Sequence, residues 1–156
     1  MSPLPLAFLI GVIAGLRSFT APAVVSWAAR LGWMHLARTP LAFMGLPMTS
    51  YIFTALAVIE LIADKLPKTP SRKAAPGFAA RILTGGLCGA VLGATSDALA
   101  GGLSLGVFGA VAGTLGGYEF RRRLVRDIGG RDLPVALLED AIAIGGAIAL
   151  ATRPLQ

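Results

Sequence analysis

An arginine lies near the middle of the first apolar stretch of this chain. Arg17 stands within residues 4–29, where nearly every other side chain is apolar or small. A charged side chain at mid-bilayer depth costs roughly 3 kcal/mol or more, so it is retained only beside a buried partner, a water-filled cavity or a ligand. Whatever fold the chain adopts must therefore place groups around Arg17 that satisfy its charge.

The composition is that of a membrane protein. Of the 156 residues, 55% are hydrophobic and 14% are charged, whereas soluble proteins carry about 25% charged residues. The net charge of +6 would suggest nucleic acid for a soluble domain. Here the basic residues fall between apolar stretches, a pattern typical of loops that contact anionic lipid headgroups. We therefore expect membrane lipids as partners, and no nucleic acid.

Five apolar stretches are close to the ~20 residues that a helix needs to cross a bilayer. The predicted spans are residues 4–29, 49–66, 79–95, 103–120 and 133–152. Residues 31–47 are apolar but interrupted by glycine and proline, which fits an interfacial or re-entrant segment. The predicted fold class is all-α, a polytopic membrane bundle of about five helices in a single domain over residues 1–156.

The basic residues divide unequally between the two sides of this five-span arrangement. With the N-terminus inside, the cytoplasmic connections hold Lys65, Lys68, Arg72, Lys73, Arg81, Arg121, Arg122, Arg123, Arg126 and Arg131. The opposite side holds Arg30, Arg38 and Arg153. Basic loops stay in the cytoplasm. The pattern thus predicts the bacterial inner membrane, with the N-terminus inside and the C-terminus outside.

Glycines recur at helical spacing in the third and fourth predicted spans. They are Gly86, Gly89 and Gly93, followed by Gly102, Gly106, Gly109, Gly113 and Gly116. Small residues at this spacing let helix backbones approach closely in membranes. The stripe predicts glycine-rich packing between the two helices. A sliding or oligomeric interface is the alternative, and we expect a homo-oligomer.

Two pairs of segments also resemble each other. Residues 11–16 are similar to residues 109–114, and residues 57–60 are similar to residues 136–139. An offset of three spans would invert the second copy, as in many transporter folds. Spans rich in alanine and glycine also resemble one another by chance, so an inverted repeat and chance similarity both stay open.

Carboxylates gather near one predicted membrane face, with Arg17 deeper. Glu60 and Asp64 are four residues apart, hence on one side of a helix, and Glu139 and Asp140 lie at comparable depth in the fifth span. A carboxylate at that depth faces the protein interior. It is either a structural partner or a group that binds a cation or a proton.

The residues after Arg17 favour a loosened helix with exposed backbone groups, because they include serine, threonine and proline. Two hypotheses follow for Arg17: an ion pair with Glu60 or Glu139, or coordination of an anion or a lipid headgroup. The candidate substrate- or ion-binding residues are Arg17, Ser18, Glu60, Asp64, Glu139 and Asp140.

Enzyme and metal motifs are missing from the sequence. It contains one histidine, His35, and one cysteine, Cys88, which are too few for a zinc site. Neither a His-Glu-x-x-His motif nor a Gly-x-Ser-x-Gly motif nor a phosphate-binding glycine loop occurs. We therefore expect no catalytic residue, no metal and no cofactor.

Three segments carry a resemblance to a known family: Gly-Leu-Arg-Ser-Phe at 15–19, Glu-Leu-Ile-Ala-Asp-Lys-Leu-Pro at 60–67 and Leu-Leu-Glu-Asp at 137–140. They resemble bacterial membrane proteins of the domain-of-unknown-function 4126 family, most distinctively in the Glu-x-x-x-Asp-Lys-x-Pro stretch. The resemblance implies an integral inner-membrane protein and brings no settled activity. From the residues we predict a small transporter or channel for an unidentified solute or ion. The alternative is a non-transporting scaffold or lipid-binding protein whose charges are structural.

Overall fold

The computed structural model describes residues 3–66 and 75–152. Within these ranges the chain forms helices and no strand, so the all-α prediction is confirmed there. The helices are α1 (Pro3–Leu16), α2 (Thr20–Arg30), α3 (Pro47–Ala63), α4 (Ala75–Ala94), α5 (Leu99–Asp127) and α6 (Asp132–Ala151), with a short 3-10 helix at Ala42–Gly45. The predicted loop positions of Lys68, Arg72, Lys73 and Arg153 lie outside the described residues.

Three of the described helices, α4, α5 and α6, are long and apolar enough to cross a membrane. Two further apolar helices are shorter, because α1 has 14 residues and α3 has 17. Five spans are therefore not confirmed. The segment predicted to be interfacial or re-entrant forms turns and the 3-10 helix between α2 and α3. Helix α5 continues past residue 120, where the predicted fourth span ends, for about two more turns that are rich in arginine.

The first predicted span is broken at residues 17–19, and α1 runs parallel to α5. Leu4 packs beside Gly101 near the start of both helices. Near the other end of α1, the Thr114 hydroxyl donates a hydrogen bond of 3.2 Å to the Gly15 carbonyl. By contrast, α6 is antiparallel to α1, since Gly146 packs beside Ile13 whereas the earlier residue Asp140 contacts Arg17.

After the break the chain turns back, and α2 runs alongside the rest of the bundle towards the end where α1 began. Its buried residues belong to the same hydrophobic core as buried residues of α4 and α6 that lie beside α1. These core residues are Ala21, Val25 and Ala28 of α2, Cys88, Val91 and Leu92 of α4, and Ala143, Ala147 and Ala151 of α6. Helices α1 and α2 therefore form a helical hairpin with residues 17–19 at its tip.

The hairpin changes the predicted topology. Pro3 and Ala151 lie at the same end of the bundle, here called the Pro3 end, and the α5–α6 connection lies at the other, here called the arginine end. The predicted placement of the two termini on opposite sides does not fit this arrangement. A helix of 14 residues is about 21 Å long, short of the roughly 30 Å of a bilayer core. The tip lies beside Thr114 of α5 and Asp140 of α6, neither of which ends its helix, so it stops inside the bundle.

The glycines of α5 lie against the main chains of two neighbouring helices. A Cβ added at Gly102 or Gly106 would approach α4 backbone atoms to less than 3.0 Å, and one at Gly109 or Gly113 would approach α1 backbone atoms as closely. Gly89 and Gly93 of α4 are equally close to the α5 main chain, whereas Gly86 meets the Val107 side chain. A Cβ at Gly116 would have open space. The close-packed stripe thus ends at Gly113 and has α1 as a second partner.

The structure does not fit the hypothesis of an inverted repeat. An inverted repeat requires the helices of residues 11–16 and 109–114 to run in opposite directions, and α1 and α5 run in the same direction. The two similar segments instead pack against each other, with Gly15 beside Ala110 and Thr114. Both contain small residues because they form the two sides of one close helix contact.

Candidate functional site

Arg17 is fully buried at the tip of the hairpin and pairs with carboxylates from two other helices. Its Nη1 contacts Oδ2 of Asp64, the C-cap residue that follows α3, and its Nη2 contacts Oδ1 of Asp140 in α6. The second oxygen of Asp140 lies 2.7 Å from Lys65 Nζ. Two cations and two carboxylates therefore alternate in one ion-paired group, which joins the tip to the end of α3 and to α6.

Glu60 contacts the backbone at the same tip. Its Oε1 accepts a hydrogen bond of 2.7 Å from the Ser18 amide, and its Oε2 accepts one of 2.9 Å from the Phe19 amide. Phe19 is the N-cap residue of α2 and has no side chain that could cap the helix. Amides at the start of a helix lack partners within it and carry partial positive charge. Glu60 therefore caps α2 from a different helix.

We call Arg17, Glu60, Asp64, Lys65 and Asp140 the Arg17 cluster. It contains five of the charged groups of the structure and includes three predicted carboxylates. Ser18, also predicted, contributes its backbone amide. Glu139, the remaining predicted carboxylate, lies outside this cluster.

Glu139 belongs to a second ion-paired group. Its side chain is buried, and its Oε2 lies 3.5 Å from Arg121 Nη1. Arg121 also donates hydrogen bonds of 2.8 and 2.6 Å to the two oxygens of Asp132, at the start of α6. Consecutive residues on a helix point about 100° apart. For this reason Asp140 faces α1, whereas Glu139 faces the end of α5.

The predicted direct ion pair of Arg17 with Glu60 or Glu139 is not formed, because Asp64 and Asp140 are its ion-pair partners. The reversal of the chain explains the difference. The tip meets the last turn of α3, where Glu60 is level with the amides and Asp64, one turn later, is level with the guanidinium. Reasoning from sequence also missed Lys65, although it directly follows Asp64 in the Glu-x-x-x-Asp-Lys stretch.

Two buried polar atoms at the tip make no hydrogen bond within the part of the chain that the structure describes. They are Arg17 Nε and Thr20 Oγ1; Arg17 Nη2 also makes no hydrogen bond there, but it is ion-paired with Asp140. Buried polar atoms usually have partners. The tip therefore holds donors beyond those that Asp64, Asp140 and Glu60 use. In residues 3–66 and 75–152, no group of three or more His, Cys, Asp or Glu side chains is placed to hold a metal ion.

The fold and the Arg17 cluster define a membrane-type helical protein with an ion-paired arginine inside its bundle. The model of a family described as a domain of unknown function (DUF4126) matches residues 4–156, so the chain belongs to that family. The expected family membership is confirmed. No curated protein and no solved structure matches the chain. The family carries no activity with it, so function has to be argued from the cluster.

Proposed function

We propose that this protein is a small transporter or channel for a small solute or ion, and that the Arg17 cluster is the binding site on its path. The observation that carries the proposal is the hairpin tip, which ends inside the bundle with a guanidinium and two helix-start amides. Non-helical backbone at membrane depth is tolerated only where it is buried in protein or lines a water-filled cavity. In many transporters such interrupted helices form the substrate site near the middle of the membrane.

The distribution of basic residues supports an orientation in the bacterial inner membrane. Described residues towards the arginine end are Lys65, Arg81, Arg121, Arg122, Arg123, Arg126 and Arg131, whereas Arg30 and Arg38 lie towards the Pro3 end. By the positive-inside rule the arginine end faces the cytoplasm, and Pro3 and Ala151 then lie towards the outside. The side chains of Arg122 and Arg123, 60% and 67% exposed, are suited to anionic lipid headgroups.

A homo-oligomer remains a prediction. A chain of 16.0 kDa has little interior of its own, which favours a path that neighbouring subunits help to enclose. The close-packed glycines are not free to form that interface, because α1 and α4 cover Gly102 to Gly113. An interface between subunits therefore uses another face of the bundle.

The second candidate is a non-transporting scaffold or lipid-binding protein without catalytic activity. The alternation of charges in the Arg17 cluster favours it, because Arg17, Asp64, Lys65 and Asp140 neutralise one another without a ligand. In that case the cluster only ties the hairpin to α3 and α6, and the solute path does not exist.

Flux measurements separate the two candidates. Purified protein is reconstituted into vesicles of phosphatidylethanolamine and phosphatidylglycerol, and currents are recorded after concentration jumps of formate, acetate, chloride, sodium and potassium. Transport predicts a current for at least one probe, lost in Arg17→Lys and retained in Glu119→Gln, whose carboxylate pairs with exposed arginines of its own helix. Absence of current for every probe with correctly folded protein favours the scaffold.

A further inference from the structure

The Glu60 carboxylate occupies a site built for an anion. Each of its two oxygens accepts one backbone hydrogen bond, from Ser18 and from Phe19, at the N-terminus of an 11-residue helix. A helix N-terminus with free amides binds carboxylates, phosphates and halides readily. The carboxylate that binds here belongs to Glu60 of α3. It is therefore attached to a different helix from the one whose N-terminus it contacts.

Unused donors lie in the same turn. Thr20 begins α2 directly after the two amides, and its buried hydroxyl has no partner in the described chain; the same holds for Nε of the fully buried Arg17. A hydroxyl and a guanidinium N–H are both donors. The tip therefore offers more donors than the Glu60 carboxylate takes up, and these donors favour negative charge.

The charge balance around the tip fixes the valence of an anion that could replace Glu60. Arg17 and Lys65 neutralise Asp64 and Asp140, so Glu60 is the one excess charge of the Arg17 cluster. If the Glu60 side chain leaves the amides, a monovalent anion restores the original charge at that position. A divalent anion would leave one negative charge more, close to two carboxylates.

We propose that the hairpin tip is an anion site in which Glu60 is a tethered occupant, and that a small monovalent anion binds to the Ser18 and Phe19 amides when Glu60 moves away. This inference rests on the proposed transport function and names its substrate class. Formate is the smallest probe with the carboxylate geometry that the site already holds.

The test is rescue of a variant by free anions. Glu60→Ala removes the tethered carboxylate and leaves both amides. Its unfolding temperature in detergent is measured against formate, acetate and chloride, with gluconate as a bulky anion that keeps the ionic strength constant. Formate at about ten times its Kd should raise the unfolding temperature by roughly 3–6 °C. Wild type, in which the anion has to displace Glu60, and Glu119→Ala, which removes an exposed carboxylate, should respond much less.

Glu60→Gln is measured in parallel because it keeps the side-chain volume if the alanine variant does not fold. The inference is overturned if formate, acetate and chloride stabilise neither variant, or if they stabilise wild type and Glu119→Ala equally. The vesicle currents give a separate answer. Anion rescue without current retains the anion site and rejects transport, whereas current without rescue retains transport and rejects the anion site.

Discussion

Arg17 and Asp140 form a buried ion pair that joins the tip of the hairpin to α6, and the second oxygen of Asp140 contacts Lys65 at 2.7 Å. The two partners of Arg17 are therefore not equivalent. Asp140 keeps a cation if Arg17 is removed. Asp64, whose side chain is 16% exposed, has Arg17 as its ion-pair partner in the described residues and would lose that partner.

The first prediction tests the difference between Asp64 and Asp140 as partners of Arg17. Arg17→Ala should destabilise the protein by about 3–5 kcal/mol, because it leaves the largely buried Asp64 carboxylate without its ion-pair partner. Arg17→Ala combined with Asp64→Asn should be more stable than Arg17→Ala alone. Combination with Asp140→Asn should recover less, since Asp140 retains Lys65. The measurement is the free energy of unfolding in detergent.

Arg122→Ala is the control for the loss of an arginine, because its side chain is 60% exposed and, among the described residues, pairs with Glu119 of its own helix. It should change stability by less than about 1 kcal/mol. A cost of Arg17→Ala equal to that of the control would contradict the description of the cluster as a buried ion-paired group.

The second prediction uses two glycines of the same helix. Gly109→Ala places a Cβ against the main-chain oxygen of Phe8, where only backbone movement can make room, so it should cost about 1–3 kcal/mol. Gly116→Ala has open space and should be neutral or stabilising by up to about 1 kcal/mol, because alanine favours the helix. Thermal unfolding in detergent compares them, and equal effects would show that α1 and α5 are not in close contact.

The sequence predicted a membrane-type helical protein and most of the residues that meet in the Arg17 cluster, because these depend on composition and on local spacing. Glu60, Asp64 and Asp140 were assigned from their depth in apolar stretches alone. It did not predict the hairpin, because residues 4–29 have the length of one complete span and α1 and α2 are both apolar. At the reversal the chain contacts residues that are distant in sequence, Glu60 among them, and sequence spacing does not reveal such contacts.

The predicted ion-pair partners of Arg17 and the hypothesis of an inverted repeat fail for the same reason. A continuous first span would place Arg17 opposite the middle of its neighbours, at the depth of Glu60 and Glu139. Once the chain reverses, the tip meets the last turn of α3, and the angular position of residues on α6 selects Asp140 over Glu139. Sequence spacing fixes which residues share a helix face, but not which neighbouring helix that face meets.

The third prediction tests the hairpin in intact cells. In a Cys88→Ala background, Pro5→Cys and Arg38→Cys should both react with a membrane-impermeant maleimide from the same side, and Arg131→Cys should react only after lysis. All three positions are exposed, whereas Cys88 is buried. A continuous first span would instead place positions 5 and 38 on opposite sides. Labelling of Arg131→Cys in intact cells, with the other two protected, would retain the hairpin and reverse the proposed orientation.

The last prediction compares two adjacent buried carboxylates. Asp140 contacts Arg17 and Lys65 in the Arg17 cluster, whereas Glu139 contacts Arg121 near the α5–α6 connection. If the Arg17 cluster binds the transported solute, Asp140→Asn should lower the vesicle current about tenfold, the equivalent of roughly 1.4 kcal/mol. Glu139→Gln should reduce stability, because it weakens the Arg121 group, but should leave the current per folded molecule within about twofold, a difference below 0.5 kcal/mol. The amount of folded protein in each vesicle preparation is determined by size-exclusion chromatography before reconstitution. Equal losses of current in both variants would mean that the two groups act together, and the solute path would then extend from the hairpin tip to Arg121.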